Sequence, residues 1–194
     1  MDTEAFWTLI DDSLGHAPGR AAREEYLRAR LAESAPEEIV GFQLRVNTAC
    51  IRADGIDLWG AAARIMSGFC SDDGFEYFRL WLIGRGREVF EQALANPDSL
   101  ATTPEIQRLV GRPLREWDED VEWPDWETLA YIAADAYAAA TGEQDEDAFD
   151  DAVSEHDEGV EFPDYLAEEQ WNPRDEELAA AKIPNLARAF PLAV

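Results

Sequence analysis

The sequence predicts an all-α protein: a single globular multi-helix domain that carries an acidic C-terminal segment. Three observations predict it. Apolar residues recur with a period near 3.6 along almost the whole chain. Helix-start signals at Ser34, Ser71 and Thr103 precede the apolar stripes. No stretch alternates apolar and polar residues long enough to build a sheet. A chain of 194 residues with 46% hydrophobic content, including 7 Trp, 9 Phe and 5 Tyr, can fill one core. That aromatic content also argues against disorder, which needs low hydrophobicity as well as high charge.

The elements follow in order, about seven to nine helices in all. Phe6, Ile10 and Leu14 form the first stripe, and the loop from Gly15 to Gly19 ends it. Tyr26, Leu27 and Leu31 mark a second helix. Ser34-Ala35-Pro36-Glu37 reads as a capping box, with Ser34 and Glu37 satisfying each other's backbone donors. The helix it opens buries Ile39, Phe42, Val46, Ala49 and Cys50. A fourth begins near Asp57 and turns Leu58, Ala62, Ile65, Met66 and Phe69 inward. Ser71 then caps a helix with Phe75, Phe78 and Leu82 on its inner face, followed by one with Val89, Phe90, Ala93 and Leu94. Thr103-Pro104 places an N-cap before a proline at N1. Residues 125–141 read as one amphipathic helix burying Trp126, Leu129, Ala133, Ala136, Tyr137 and Ala140, with Gly142 as its stop. The core is expected to include Phe42, Trp59, Phe75, Phe78, Trp81 and Phe90. Residues 1–142 are taken as the helical core. Residues 143–194 are taken as a mobile acidic segment (143–161) and a tail that packs back on the core.

Charge is segregated. Residues 116–173 contain 21 acids and no Lys or Arg, while residues 1–115 balance 18 acids against 13 Arg. The total is −26, which repels phosphate backbones and so argues against nucleic acid. The same field accelerates capture of a basic protein or peptide. The first residues hold neither a basic n-region nor an apolar run, so no signal peptide is read. No stretch is apolar enough for a membrane helix. Cys50 and Cys70 suit a reducing compartment, with the cytoplasm as default. Oligomeric state is not legible.

Several segments carry a resemblance. They are Phe6-Trp7-x-x-Ile10-Asp11, Asp57-Leu58-Trp59-Gly60-Ala61-Ala62, Cys70-Ser71-Asp72-Asp73-Gly74-Phe75-x-Tyr77-Phe78-Arg79-x-Trp81-Leu82-Ile83, Gly86-Arg87-Glu88-Val89-Phe90-Glu91 and Pro97-Asp98-Ser99-Leu100-Ala101. Together they resemble a bacterial family of unknown function, domain-of-unknown-function family 4240. The likeness covers residues 3–101, with Pro184-x-Leu186 resembling its ending. It implies no activity, cofactor or partner.

Two groups of residues are candidate sites. In the first, Asp72, Asp73 and Glu76 open a helix, and Asp72 and Glu76 share a face. With Arg79 they could act as acid, base and anion clamp, or hold a divalent cation. The competing reading is a capped helix whose first-turn acids favour the dipole. Cys70 could be a thiolate at that N-terminus, although it reads better as a small buried thiol because Asp72 and Asp73 oppose its ionisation. Gly84-Arg85-Gly86-Arg87 reads as a helix–helix connection rather than a phosphate loop. Cys and His are too few for a metal site, and residues 118–129 fail the EF-hand pattern at its sixth and twelfth positions, so no cofactor or metal is expected. In the second group, Trp117, Asp118, Asp120, Trp123 and Trp126 interleave aromatic and acidic side chains. They suit docking of a basic partner, or else the indoles form a lid over the core. An interaction protein of immunity, antitoxin or accessory type is the leading expectation. A small enzyme or divalent-cation site at Asp72, Asp73 and Glu76 is the alternative.

Overall fold

The computed structural model describes residues 1–16, 19–143, 145, 147–156, 159 and 171–192. Among these residues the chain forms eleven α-helices, three short 3-10 turns and no strand. The helices are α1 (Thr3–His16), α2 (Arg20–Ala32), α3 (Pro36–Arg52), α4 (Ile56–Ile65), α5 (Asp72–Ile83) and α6 (Arg87–Ala95). They continue with α7 (Pro104–Leu109), α8 (Ile132–Thr141), α9 (Ala148–His156), α10 (Glu176–Lys182) and α11 (Pro184–Ala189). The 3-10 turns span Pro97–Thr102, Leu114–Glu116 and Glu127–Ala130.

One core joins them. The helices α2, α3 and α8 pack mutually, with α1 against α2 and α5 against the turn at Glu127–Ala130. Phe42, Phe75, Phe78, Trp81 and Phe90 are buried as expected. Trp59 is only half-buried: its ring stacks on Phe75 at 4.9 Å while its Nε1 donates to the Cys70 carbonyl at 3.0 Å. Near the C-terminus, α10 and α11 pack together, and α11 lies on α4 and on the Pro97–Thr102 turn.

Ser71 caps α5 as the sequence indicates, its Oγ accepting from the Gly74 N–H at 3.1 Å. The capping box at Ser34 does not form. Pro36 sits at N1 and drives Ala35 into the extended region, so Ala35 is the N-cap. The Ser34 hydroxyl instead donates to the Arg30 carbonyl at 3.3 Å. Thr103 holds the N-cap position of α7, but its hydroxyl donates back to Leu100 O at 2.9 Å and closes the preceding turn.

Two further expectations are corrected, and one element appears that the sequence reading did not assign. Phe69 is 71% exposed, because α4 stops at Ile65 and the left-handed Ser67 (φ 59°) and Gly68 (φ 89°) turn the chain outward. Residues 125–141 do not form one helix. The Trp126 N–H donates to Tyr77 O at 3.0 Å, which pins that residue to α5 and leaves only a 3-10 turn before α8 begins. Finally, α9 forms inside the acidic stretch, anchored by Phe149 on Tyr137 at 5.2 Å between ring centres. Residues 144, 146, 157, 158 and 160–170, which include most of the remaining acidic stretch, Tyr165 and Leu166, lie outside the described residues.

Candidate functional site

The carboxylates of the Cys70–Gly74 motif do not converge with Arg79. Asp72, Asp73 and Glu76 are exposed on the first turns of α5. Arg79 points the other way: it pairs with Asp54 at 3.0 Å, donates to Cys50 O at 3.3 Å and lies 5.0 Å over the Phe75 ring. The Cys70 thiol is pushed up to about 12, first by burial and then by Asp72, so it is protonated at neutral pH. Cys50 is likewise raised to about 12, chiefly by burial. Among the described residues no group of three or more His, Cys, Asp or Glu is arranged to hold a metal ion.

Other polar residues of the same region bind structure together. Arg64 is fully buried and donates to Glu176 at 2.9 Å, to Ala187 O at 3.1 Å and to Pro173 O at 3.2 Å. Asp57 accepts from the Trp171 indole and from Lys182, both at 2.8 Å. Asp98, 5% exposed, accepts from the backbone N–H groups of Asn185 and Leu186 at the start of α11. Gly60 lies under the Trp171 ring. Asp57, Gly60, Arg64 and Asp98 therefore clamp the C-terminal helices onto α4. Gly84 and Gly86 link α5 to α6, and Asp11 accepts from the Arg87 N–H at 3.1 Å.

The aromatic–acidic stretch divides by residue. Trp117 is 5% and Trp126 1% exposed, and Trp123 is half-buried against Trp117 with ring centres 5.5 Å apart. These indoles are turned into the core, so they do not offer themselves to a partner. Trp126 lies on Gly84, and its Nε1 donates to Glu24 at 2.8 Å. Asp118 bends its own loop, accepting from Asp120 N at 3.0 Å and Val121 N at 3.2 Å. Glu122 closes that loop by accepting from Asp118 N at 2.9 Å while Arg112 grips it at 2.5 and 2.8 Å.

That folding leaves Glu119 and Asp120 outside, where they meet residues from two other elements. Glu24 of α2, Tyr77 of α5 and Asp125, Glu127 and Thr128 line a groove of about 580 Å³ with them. Five carboxylates surround it. The one cation among its lining residues, Arg20, is held at its edge by Asp125 at 2.8 Å and Trp123 O at 3.0 Å. Glu24 also accepts from the Thr128 hydroxyl. Burial, then a hydrogen bond to Glu127, hold the Tyr77 phenol above its ordinary pKa. Desolvation raises the Asp125 carboxyl despite Arg20 beside it. Tyr131, 54% exposed, follows the turn and extends the face with an aromatic ring.

The family model described as "Protein of unknown function (DUF4240)" matches residues 1–139 of the 194. The chain belongs to that family. No curated protein matches it. No solved structure matches it. The matched residues contain the whole acidic groove, whereas α10 and α11 lie beyond them. Glu24 and Glu127 escaped the sequence reading of a site. Tyr77 stands in the motif and Glu127 in the acidic run, but nothing local shows that they meet Glu24.

Proposed function

We propose that the protein is an interaction module that docks a basic protein or peptide in the groove between α2, α5 and the Glu119–Thr128 segment. The observation that carries this reading is the gathering of Glu24, Glu119, Asp120, Asp125 and Glu127 around one concavity whose only lining cation is already engaged. A guanidinium or ammonium entering it meets several carboxylates at once, with the Tyr77 and Tyr131 rings as apolar and cation–π surfaces. The overall charge of −26 adds long-range steering. The buried Trp117 and Trp126 contribute by fixing the loop that presents Glu119 and Asp120.

The test is fluorescence anisotropy of a labelled peptide of alternating arginine and serine. Glu119→Gln/Asp120→Asn should weaken binding by about tenfold, on the scale of two exposed ion pairs at up to ~1 kcal/mol each. Glu37→Gln/Glu38→Gln removes the same charge from the exposed start of α3 and should have little effect. Equal losses in the two variants would reduce the groove to a share of the general field and overturn the assignment.

A further inference from the structure

On the far side of Arg20 lies a second cavity of opposite character. It measures about 320 Å³ and is walled by Trp81, Trp126, Leu14 and Val121, with the guanidiniums of Arg20, Arg23, Arg85 and Arg108 around it. Four arginines meet here in a chain whose net charge is −26.

Local carboxylates do not neutralise them. Asp125 takes Arg20 at 2.8 Å and Glu105 takes Arg85 at 2.9 Å. Glu122 lines the cavity but is held by Arg112, which lies outside it. Five guanidiniums thus face three carboxylates, and two positive charges, those of Arg23 and Arg108, are left without a carboxylate partner among the described residues. Arg23 is 3% exposed, and its bonds go to the Ser13 hydroxyl at 2.9 Å and the Gly84 carbonyl at 2.8 Å, both neutral. Its guanidinium lies 4.5 Å over the Trp126 ring, and that of Arg85 lies 5.5 Å over Trp81. Arg85 Nε is buried with no acceptor. Burial, followed by the charge of Arg85, lowers Arg23 to about 10, which records the cost of the arrangement. A buried guanidinium lacking a counter-charge is expensive unless an anion completes it.

We propose that this cavity binds a small phosphate monoester, its dianion opposite Arg23 and Arg108 and its organic part against the apolar wall of Trp81, Trp126, Leu14 and Val121. A monoester carries close to two negative charges at neutral pH, which matches the uncompensated charge. Planar guanidinium forks suit its oxygens. The volume falls in the range of small-ligand pockets.

The probe is phenyl phosphate, followed through the indole N–H resonances of the full-length protein, with phenyl sulfate as a monoanion of the same shape. Phenyl phosphate should move the Trp81 and Trp126 signals saturably, and phenyl sulfate should bind about tenfold more weakly. Arg108 is exposed and makes no ion pair among the described residues, so Arg108→Gln leaves the fold intact and should weaken the phosphate by about tenfold. Glu105→Gln frees Arg85 and should tighten it. Equal affinity for the two ligands, or an unchanged affinity in Arg108→Gln, overturns the proposal. Binding of a phosphoserine peptide without any binding of phenyl phosphate would also overturn it, placing the phosphate on a partner protein.

Discussion

Gly60→Ala is a direct perturbation of the contact that holds the C-terminal helices to α4. A Cβ built on Gly60 would lie 2.8 Å from Cε2 and 3.0 Å from Cη2 of Trp171, with Cζ2 closer than either. Ordinary contact begins near 3.4 Å, so Cε2 alone must retreat by 0.6 Å and the whole ring must move with it. The ring is not free to do so, because its Nε1 donates to Asp57 at 2.8 Å and the Lys182 ammonium lies 5.8 Å over its face. Overpacking costs about 1–3 kcal/mol, and loss of the hydrogen bond adds about 0.5–1.5 kcal/mol. The variant should therefore lose roughly 2–4 kcal/mol in urea unfolding at unchanged slope. Limited trypsin digestion gives a local readout: no Lys or Arg lies between Arg115 and Arg174, so cleavage at Arg174 reports release of the C-terminal helices from α4. It should accelerate in Gly60→Ala. A loss below about 0.5 kcal/mol with unchanged cleavage would refute the clamp.

Other consequences follow from single side chains. Ser71→Ala removes the oxygen that accepts from Gly74 N and should cost about 1 kcal/mol in thermal or urea melts; no loss would mean that the motif serves something other than the helix start. Glu122 is held down to about 2, first by Arg112 and then by the Asp118 N–H, against an ordinary value near 4.3 in the unfolded chain. Because the folded value is the lower one, its stabilisation is present above about pH 4.3 and fades as pH falls toward 2. The melting-temperature gap between wild type and Glu122→Gln should accordingly be full at neutral pH and close across that window. With both thiols near 12, iodoacetamide at pH 8 should label Cys50 and Cys70 far more slowly in the native protein than in urea; native labelling at the denatured rate would show a reactive cysteine.

The helical period, the Ser71 cap and the aromatic core were readable because each is encoded within a few residues. Phe6, Phe78 and Phe90 repeat on stripes that local geometry must bury. Failures arose where a neighbour overrode the local signal. Pro36 moved the start of α3 off Ser34, Ser67 and Gly68 turned Phe69 outward, and Tyr77 O captured the Trp126 N–H and delayed α8. Asp57 and Arg64 resembled site residues because their partners, Trp171, Lys182 and Glu176, are more than 100 residues away in sequence. The groove was hidden because Glu24 and Glu127 are distant in sequence, and Trp126, which donates to both Glu24 and Tyr77 O, brings them together.

The most direct test of the account is a map of amide shifts as the arginine–serine peptide is titrated into the full-length protein. The account predicts that the largest shifts cluster at Glu24, Tyr77, Glu119, Asp120, Glu127 and Tyr131 and diminish as salt screens the field. Shifts centred on Asp72, Asp73 and Arg79, with the groove silent, would contradict it.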